Sequence, residues 1–515
     1  MTEPAPPPEP SRLDRLIAWA TPLRALRRQR ARVALHALRT FEGSTKSRRT
    51  EGWRVGAGTG PNVELAPALA TLRDRARDHV RNNPYGRRAV RHLATNLVGA
   101  GMIGAVTGED RDRVAALQRE WDGWASARTC DQRGKQTFGG LQRLVARTYC
   151  EAGEVLGRRV WDAAAPLGFR VQVLEADYLD AMLPPRELPN GHRVLGGIEL
   201  DANDRPVAYW LLPHHPGDTW AGAIQTPSRV PAADVAHVFD EERAGQGRGY
   251  PMLAPVMIAL RDLDETKDAM QVKQKIAACF AMIYETPEGG ARSRTEPLCD
   301  HVEPGMTEEL PPGWTAKTID PPEVGGYDDV MRIGLQAVAA GTNVPYEDIS
   351  GDYSQFNFSS GRMSRGAFYA LVEDLQWSVL VPDFNDRVFG WFLDAARIAG
   401  YDTDGITMTW TPPRRPLVDP SREIPSAISA VRATLWSPQE AIRELGYDPE
   451  LVLRDWKKFT EWLDELRLVS DIDPRRVART GNAQPEWIGP GETIDQPPAA
   501  GTNGAGRTNG HAPPG

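Results

Sequence analysis

The sequence predicts an α+β protein of several domains, assembled around one long helical strut. Three observations carry that prediction. The chain has 515 residues, room for two to four domains and a sizeable core. Between residues 62 and 250 the apolar spacing changes from a helical period to a strand period. From Arg243 to Glu285 a glycine-rich turn (Gly245, Gly247, Gly249), closed by Pro251, opens an unusually long amphipathic pattern. In that pattern Leu253, Val256, Leu260, Leu263, Met270, Ile276 and Phe280 recur at three, four or their sums. Pro255 falls in the first turn, where a missing N–H does little harm. At ~1.5 Å per residue the helix would span about 40 Å, long for one compact domain and suited to a strut or an oligomer wall. The run Thr286-Pro287-Glu288-Gly289-Gly290 stops it.

Taken in order, residues 1–10 are proline-rich and predict disorder. Residues 11–41 form a basic helical arm, with Leu13, Leu16, Ile17, Leu23, Leu26 and Val33 on one face. The arm suits either an acidic partner such as DNA or, the plainer reading, a solvated position on a neighbouring subunit. A loop over 43–62 precedes helices expected at 65–81 and 85–98, separated by Asn82-Asn83-Pro84 and closed by Gly99 and Gly101. Two more helices are expected at 110–125 and 137–152. Strands follow in EVLGRRVW, RVQVLEADYL, HRVLGGIEL, PVAYWLL and DVAHVF, with a turn from Asp201 to Asp204. Beyond the long helix, residues 285–325 are rich in Pro and Gly, with strand-like pieces at AMIYETP and AKTIDPP. A helix at 327–340, a polar loop at 341–361 and a helix at 363–380 come next. Val381-Pro382 predicts a kink or a break before the pattern resumes from Asp383 to Ile398. A strand is expected at 405–412 and helices across 421–470, where Ser437 and Glu440 form a capping box. The tail 471–515 predicts disorder.

Composition excludes several classes. Net charge is −8, so no global attraction to nucleic acid follows. Cys130, Cys150, Cys279 and Cys299 show no CxxC spacing, which argues against zinc and a disulfide framework and fits a reducing cytoplasm. No signal-peptide layout opens the chain, and no apolar run approaches the ~20 residues of a membrane span, so no membrane partner is expected. Neighbouring His214 and His215 read as a turn rather than a metal site, since no third ligand stands at a supportive spacing. Asp262 and Asp264 are two apart on a helix and do not face each other. The three glycines at 245–249 lack the Lys-Ser/Thr of a phosphate loop and read as a turn. No catalytic cluster, metal or cofactor is therefore expected.

The polar loop is more informative. From Ile333 to Gly361 no Lys, Arg or His occurs. Glu347, Asp348 and Asp352 make the loop acidic, and Tyr353, Phe356 and Phe358 alternate with Gln355 and Asn357. A loop built to grip DNA would carry cations, because phosphate neutralisation dominates that affinity. A loop that lets DNA slide past should not. From this segment alone, an ordinary surface loop is the simpler reading.

With these segments in order, the chain resembles the lambda family of phage portal proteins over about 60–470. The resemblance is carried by NNPYGRRAVRHLATNLVGAGM (82–102), FGGLQRLVARTYCEAGEVLGRR (138–159), VQVLEADYLD (171–180) and GGIELDANDRPVAYWLLPHHPGD (196–218). VAHVFDEERAGQGRGYPMLAPV (235–256), GDYSQFNFSSGR (351–362) and SPQEAIRELGYDPE (437–450) complete it. It implies a portal fold with an α+β wing, a long helical stem, a small α/β clip and a helical crown. The implied map is an arm at 1–61, wing at 62–250, first stem helix at 251–284, clip at 285–325 and second stem helix at 326–343. A tunnel loop at 344–362, a kinked helix returning to the wing at 363–415, a crown at 416–470 and a disordered tail at 471–515 follow.

The resemblance also implies a non-enzymatic ring, usually a dodecamer, at one capsid vertex of a virion assembled in a bacterial cytoplasm. Double-stranded DNA would pass through it during packaging and ejection. The terminase large subunit, then a head–tail adaptor, would dock at the clip, and the major capsid protein would surround the ring. Glu347, Asp348, Asp352, Tyr353, Gln355 and Asn357 would face DNA. Arg261, Asp264, Lys267, Lys273 and Lys275 would decorate the stem, and Arg292, Arg294 and Trp314 would lie in the docking region. Two rival readings remain: a capsid or scaffold component without a channel, and a metal-dependent nucleic-acid enzyme using Asp262, Asp264 and Glu265.

Overall fold

The computed structural model describes residues 59–179, 186–218, 225–278, 282–285, 315–318, 326–354, 358–415, 417, 419–470, 472–473 and 475. Among the described residues ahead of residue 66 lies a short helix, Pro61–Leu65, with the Thr59 hydroxyl just before it bonding Glu64. The helix expected from residue 65 begins at Leu69 instead. Pro67 stands in the intervening turn, and in a continuous helix its ring would clash with a carbonyl one turn back.

Helix α1 (Leu69–Asn82) ends at Asn83, whose side-chain oxygen accepts the Gly86 N–H at 2.8 Å and so caps α2 (Pro84–Val98). Strand β1 (Ile103–Thr107), α3 (Arg111–Ser126) and α4 (Phe138–Ala152) follow. Asp110 and Thr137 supply the side-chain caps of α3 and α4. Strand β2 (Glu154–Trp161) is the centre of a three-stranded antiparallel sheet between β3 (Phe169–Glu175) and β9 (Val235–Phe239). A second antiparallel sheet runs β4 (Arg186–Glu187), β5 (Arg193–Leu195), β6 (Ile198–Leu200), β7 (Pro206–Leu211) and β8 (Ser228–Pro231) in chain order. The single strand expected across 192–200 is thus a hairpin. Gly196 and Gly197 both hold positive φ, 55° and 85°, the conformation of a two-residue hairpin turn.

The long helix, α5 (Met257–Ala278), follows a 3-10 turn at Ala254–Val256. Its 22 residues measure about 33 Å. It stops short of the expected end near Glu285, because Met282–Glu285 is already strand β10, paired with β11 (Thr315–Thr318). Helix α6 (Tyr327–Thr342) returns antiparallel along α5, with Gly334 against Leu263 and Gly341 against Val256. The fit is close enough that a Cβ at either glycine would collide with the facing side chain.

The stretch expected to be a polar loop holds a helix, α7 (Tyr346–Ser350), pinned by the buried Ile349. Helix α8 (Phe358–Leu375) runs on into α9 (Asp386–Ile398) through Pro382 without a break. Residues Gln376–Asn385 adopt the wider π turn, which gives the proline ring room and passes over its missing N–H. Gln376 donates to the Leu97 carbonyl at 2.7 Å and ties this segment to the end of α2. Strand β12 (Thr407–Thr411) pairs antiparallel with β1, about 300 residues earlier. Helices α10 (Pro420–Arg432), α11 (Pro438–Glu444) and α12 (Pro449–Glu465) follow, with Ser437 accepting the Glu440 N–H as expected.

The main core joins α2, α3, α4, the π segment and α9 around an aromatic cluster. The Trp121 ring lies 5.2 Å from those of Phe138 and Phe392, and Trp124 stacks on Phe169 at 4.9 Å. Leu253, Leu260, Leu263, Leu335 and Val338 belong to the same core. Residues 62–250 therefore do not enclose their own core; the start of α5 and the middle of α6 complete it. A smaller core of Leu156, Leu174, Ile198, Tyr209 and Val230 lies between the two larger sheets.

Candidate functional site

The site begins at the corner between α1 and α2. Asn83 caps α2 with its oxygen, while its Nδ2 donates to Asp264 Oδ2 at 2.7 Å. One side chain thus fixes α2 and holds the strut α5. Further along α2 stand Arg88 and His92, one turn apart on the same face. Arg88 Nε donates to the Asp348 carbonyl, and His92 Nε2 stands 3.3 Å from Asp348 Oδ2. The Tyr353 hydroxyl donates to Asp348 Oδ1 at 3.0 Å. Burial alone would raise the Asp348 carboxyl, but His92 and Tyr353 outweigh it and hold the pKa below the ordinary aspartate value.

The acidic turn is therefore not a free anionic loop. Asp348 faces inward to α2, while Asp352 and Tyr353 are exposed and Glu347 is half-buried. Asp352 accepts the Ser354 N–H at 2.9 Å, and its pKa is lowered chiefly by that bond. Gln355 and Asn357 lie outside the described residues, as do Arg292, Arg294 and Trp314. On α5, exposed Arg261 bonds exposed Glu265 at 2.9 Å. Lys267 and Lys273 are partly buried and Lys275 is exposed, spread around the helix rather than gathered on one face. Asp262, Asp264 and Glu265 do not converge: Asp264 serves Asn83 and Glu265 serves Arg261.

Folding does bring His215 a pair of carboxylates that its sequence neighbourhood did not offer. Its Nε2 lies 3.5 Å from Glu175 Oε2, beside Asp177. The Arg77 guanidinium bonds both carboxylates, with Nη2 2.7 Å from Glu175 Oε2, and supplies the positive charge there. The expected turn is present, with the Asp218 N–H donating to the His215 carbonyl.

A fully buried electrostatic centre among the described residues follows no sequence motif. Glu154, fully buried at the first residue of β2, pairs with Arg73 of α1, with Arg248 (Nε to Oε2, 2.9 Å) and with His237 of β9 (Nε2 to Oε2, 2.9 Å). Burial opposes the charged carboxylate, yet Arg248, His237 and Arg73 together hold its pKa well below the usual range. Burial lowers the His237 pKa, against the opposing pull of the Glu154 carboxylate beside it. The glycine turn at 245–249 delivers Arg248 to this carboxylate. Just before β2, Gly153 holds φ 83°, and a Cβ there would overlap the Tyr250 backbone. The two backbones therefore touch where the approach to the strut begins.

The sequence that builds these elements matches a known family. The model of the family described as Phage portal protein, lambda family, matches residues 46–376. This chain belongs to that family. A probable portal protein of Halomonas phage phiHAP-1 is 26% identical over 501 residues, covering 92% of this chain and 96% of that protein. Portal protein B of Escherichia phage lambda is 23% identical over 365 residues, 60% of this chain and 66% of that one. Among solved structures, the neck of a native gene transfer agent particle is 15% identical with a TM-score of 0.44, covering 77% of this chain and 96% of that one. An HK97 family portal protein from Corynebacterium diphtheriae is 12% identical with a TM-score of 0.33, covering 65% and 94%. Among the described residues of this portal-family chain, no helix is long and apolar enough to cross a membrane.

Proposed function

We propose that copies of this chain close into a ring at one capsid vertex and that double-stranded DNA passes through its bore during packaging and ejection. The reading rests on the family match together with one observation. The antiparallel pair α5 and α6 leaves Ile258, Val272, Val330 and Ile333 more than half exposed, at 75, 54, 53 and 63%. Apolar side chains of that size along a strut call for a neighbour, and head-to-tail contacts between identical copies generate rings when the rotation closes. In the ring, residues 251–284 and 326–343 are the stem, 285–325 the clip that receives the terminase and later the head–tail adaptor, 344–362 the DNA-facing turn and 416–470 the crown. Residues 62–250 and 363–415 form the wing. A charge of −8 on each copy keeps the bore from holding phosphate.

The test is packaging. Capsids assembled with the chain should protect DNA from nuclease, and capsids lacking it should not. Asp352→Lys should leave rings intact and slow packaging severalfold by making the turn adhesive; an unchanged rate would remove the turn from the bore. Asp348→Lys is the poorer probe, since it also breaks the contacts to His92 and Tyr353.

A further inference from the structure

Among the described residues, helices α10–α12 expose many large apolar side chains. Neither α10 nor α11 buries any residue, and Trp436, Leu451 and Trp462 are 43, 51 and 62% exposed. Two features on this surface differ in shape and in charge. The first is an apolar groove of about 1030 Å³ between α8, α10 and α11, whose lining includes Ile424, Ile428 and Trp436. Five arginines line it against three carboxylates. The second is a ridge along α12 and its C-cap, where Leu451, Asp455, Lys458, Trp462 and Leu466 follow at spacings of four, three, four and four and share one face, with Asp455 paired to Lys458. Helix α12 has the opposite balance, five carboxylates against three cations.

We infer that the α12 ridge of one copy seats in the α8–α10–α11 groove of the next, as a head-to-tail contact that helps close the ring. The occupant is a second copy of this chain, for two reasons. The apolar side chains of ridge and groove are complementary and α12 as a whole is acidic where the groove is basic, whereas groove against groove would set arginines against arginines. The contact also joins two different surfaces, which is the heterologous geometry a ring requires; self-pairing of the ridge would stop at a dimer. The basic arm at 11–41 is a poorer occupant, since its arginines would meet those of the groove. The inference rests on the ring proposed above.

The test places one cysteine on each side, Ala427→Cys in the groove and Asp455→Cys on the ridge, in full-length protein with Cys279→Ser and Cys299→Ser. Cys130 and Cys150 are buried and stay. Mild oxidation should give a ladder of covalent multimers on a denaturing gel, present only when both cysteines are. A ring by negative stain with no ladder would overturn this contact and leave the ring reading standing. A disulfide formed within one chain, with no ladder, would overturn it as well, by assigning the groove to the chain's own segments. Absence of any ring would overturn both. Independently, Trp462→Ala should raise the concentration needed for half-assembly roughly tenfold, the scale of a buried aromatic anchor, with the thermal melt of the unassembled chain unchanged. Unchanged assembly would contradict the inference.

Discussion

Glu154 accepts from two arginines and a histidine in a place closed to water, so its loss leaves cations without a counter-charge. Glu154→Ala should cost about 3–5 kcal/mol in chemical unfolding, more than any exposed ion pair such as Arg261–Glu265. The same group sets an acid limit. Folding lowers the His237 pKa below 6.5 and the Glu154 pKa below 4.5, so both contribute stability that is fully present above those values. That stability should begin to fall as pH drops through about 6.5 and fall further below about 4.5. Removing the histidine isolates its share: the drop in melting temperature between pH 7 and pH 5 should be smaller, or any rise larger, in His237→Gln than in the parent, and an identical pH dependence would contradict the assignment. None of this was visible in the sequence: Arg73 and Glu154 lie far from each other and from His237 and Arg248, and the four match no motif. The pairing of Asp348 with His92 escaped for the same reason, since a segment without cations of its own borrowed them from α2.

At the scale of elements, periodicity was a good guide where one face packs on a core. The limits of α2, α3, α4, β2 and β7 agree with the expected ones to within a residue or so. It failed where pairing is remote or backbone chemistry is unusual. Strand β1 has no alternation to betray it and finds its partner in β12. Pro382 signalled an irregularity but not its form, a π turn. That turn carries its own prediction. Burial pushes the Asp383 pKa up to about 7, against the opposing charge of Arg387. The folded state thus favours the protonated acid, and the associated stability is lost as pH rises from the unfolded value of 3.8 through about 7. Asp383→Asn should therefore raise the melting temperature at pH 8 and change it less at pH 5. In the strut, Gly334→Val would push against Leu263 and should cost about 1–3 kcal/mol by overpacking. A neutral result in thermal unfolding would mean that α5 and α6 are not so closely seated.

For the whole molecule, a chain that exposes apolar residues along both strut helices and across α10–α12 is an incomplete object by itself. The family was legible from stretches such as 82–102 and 235–256, and those stretches build the corner at Asn83 and the turn that presents Arg248. The proposed docking segment at 285–325 was the least legible, since Pro- and Gly-rich sequence has no period to follow. The most direct measurement is electron microscopy of the purified full-length chain with rotational averaging. The account predicts closed rings with an open bore wide enough to admit a B-form duplex. Particles that stay monomeric at every concentration, or assemblies with a solid centre, would contradict it.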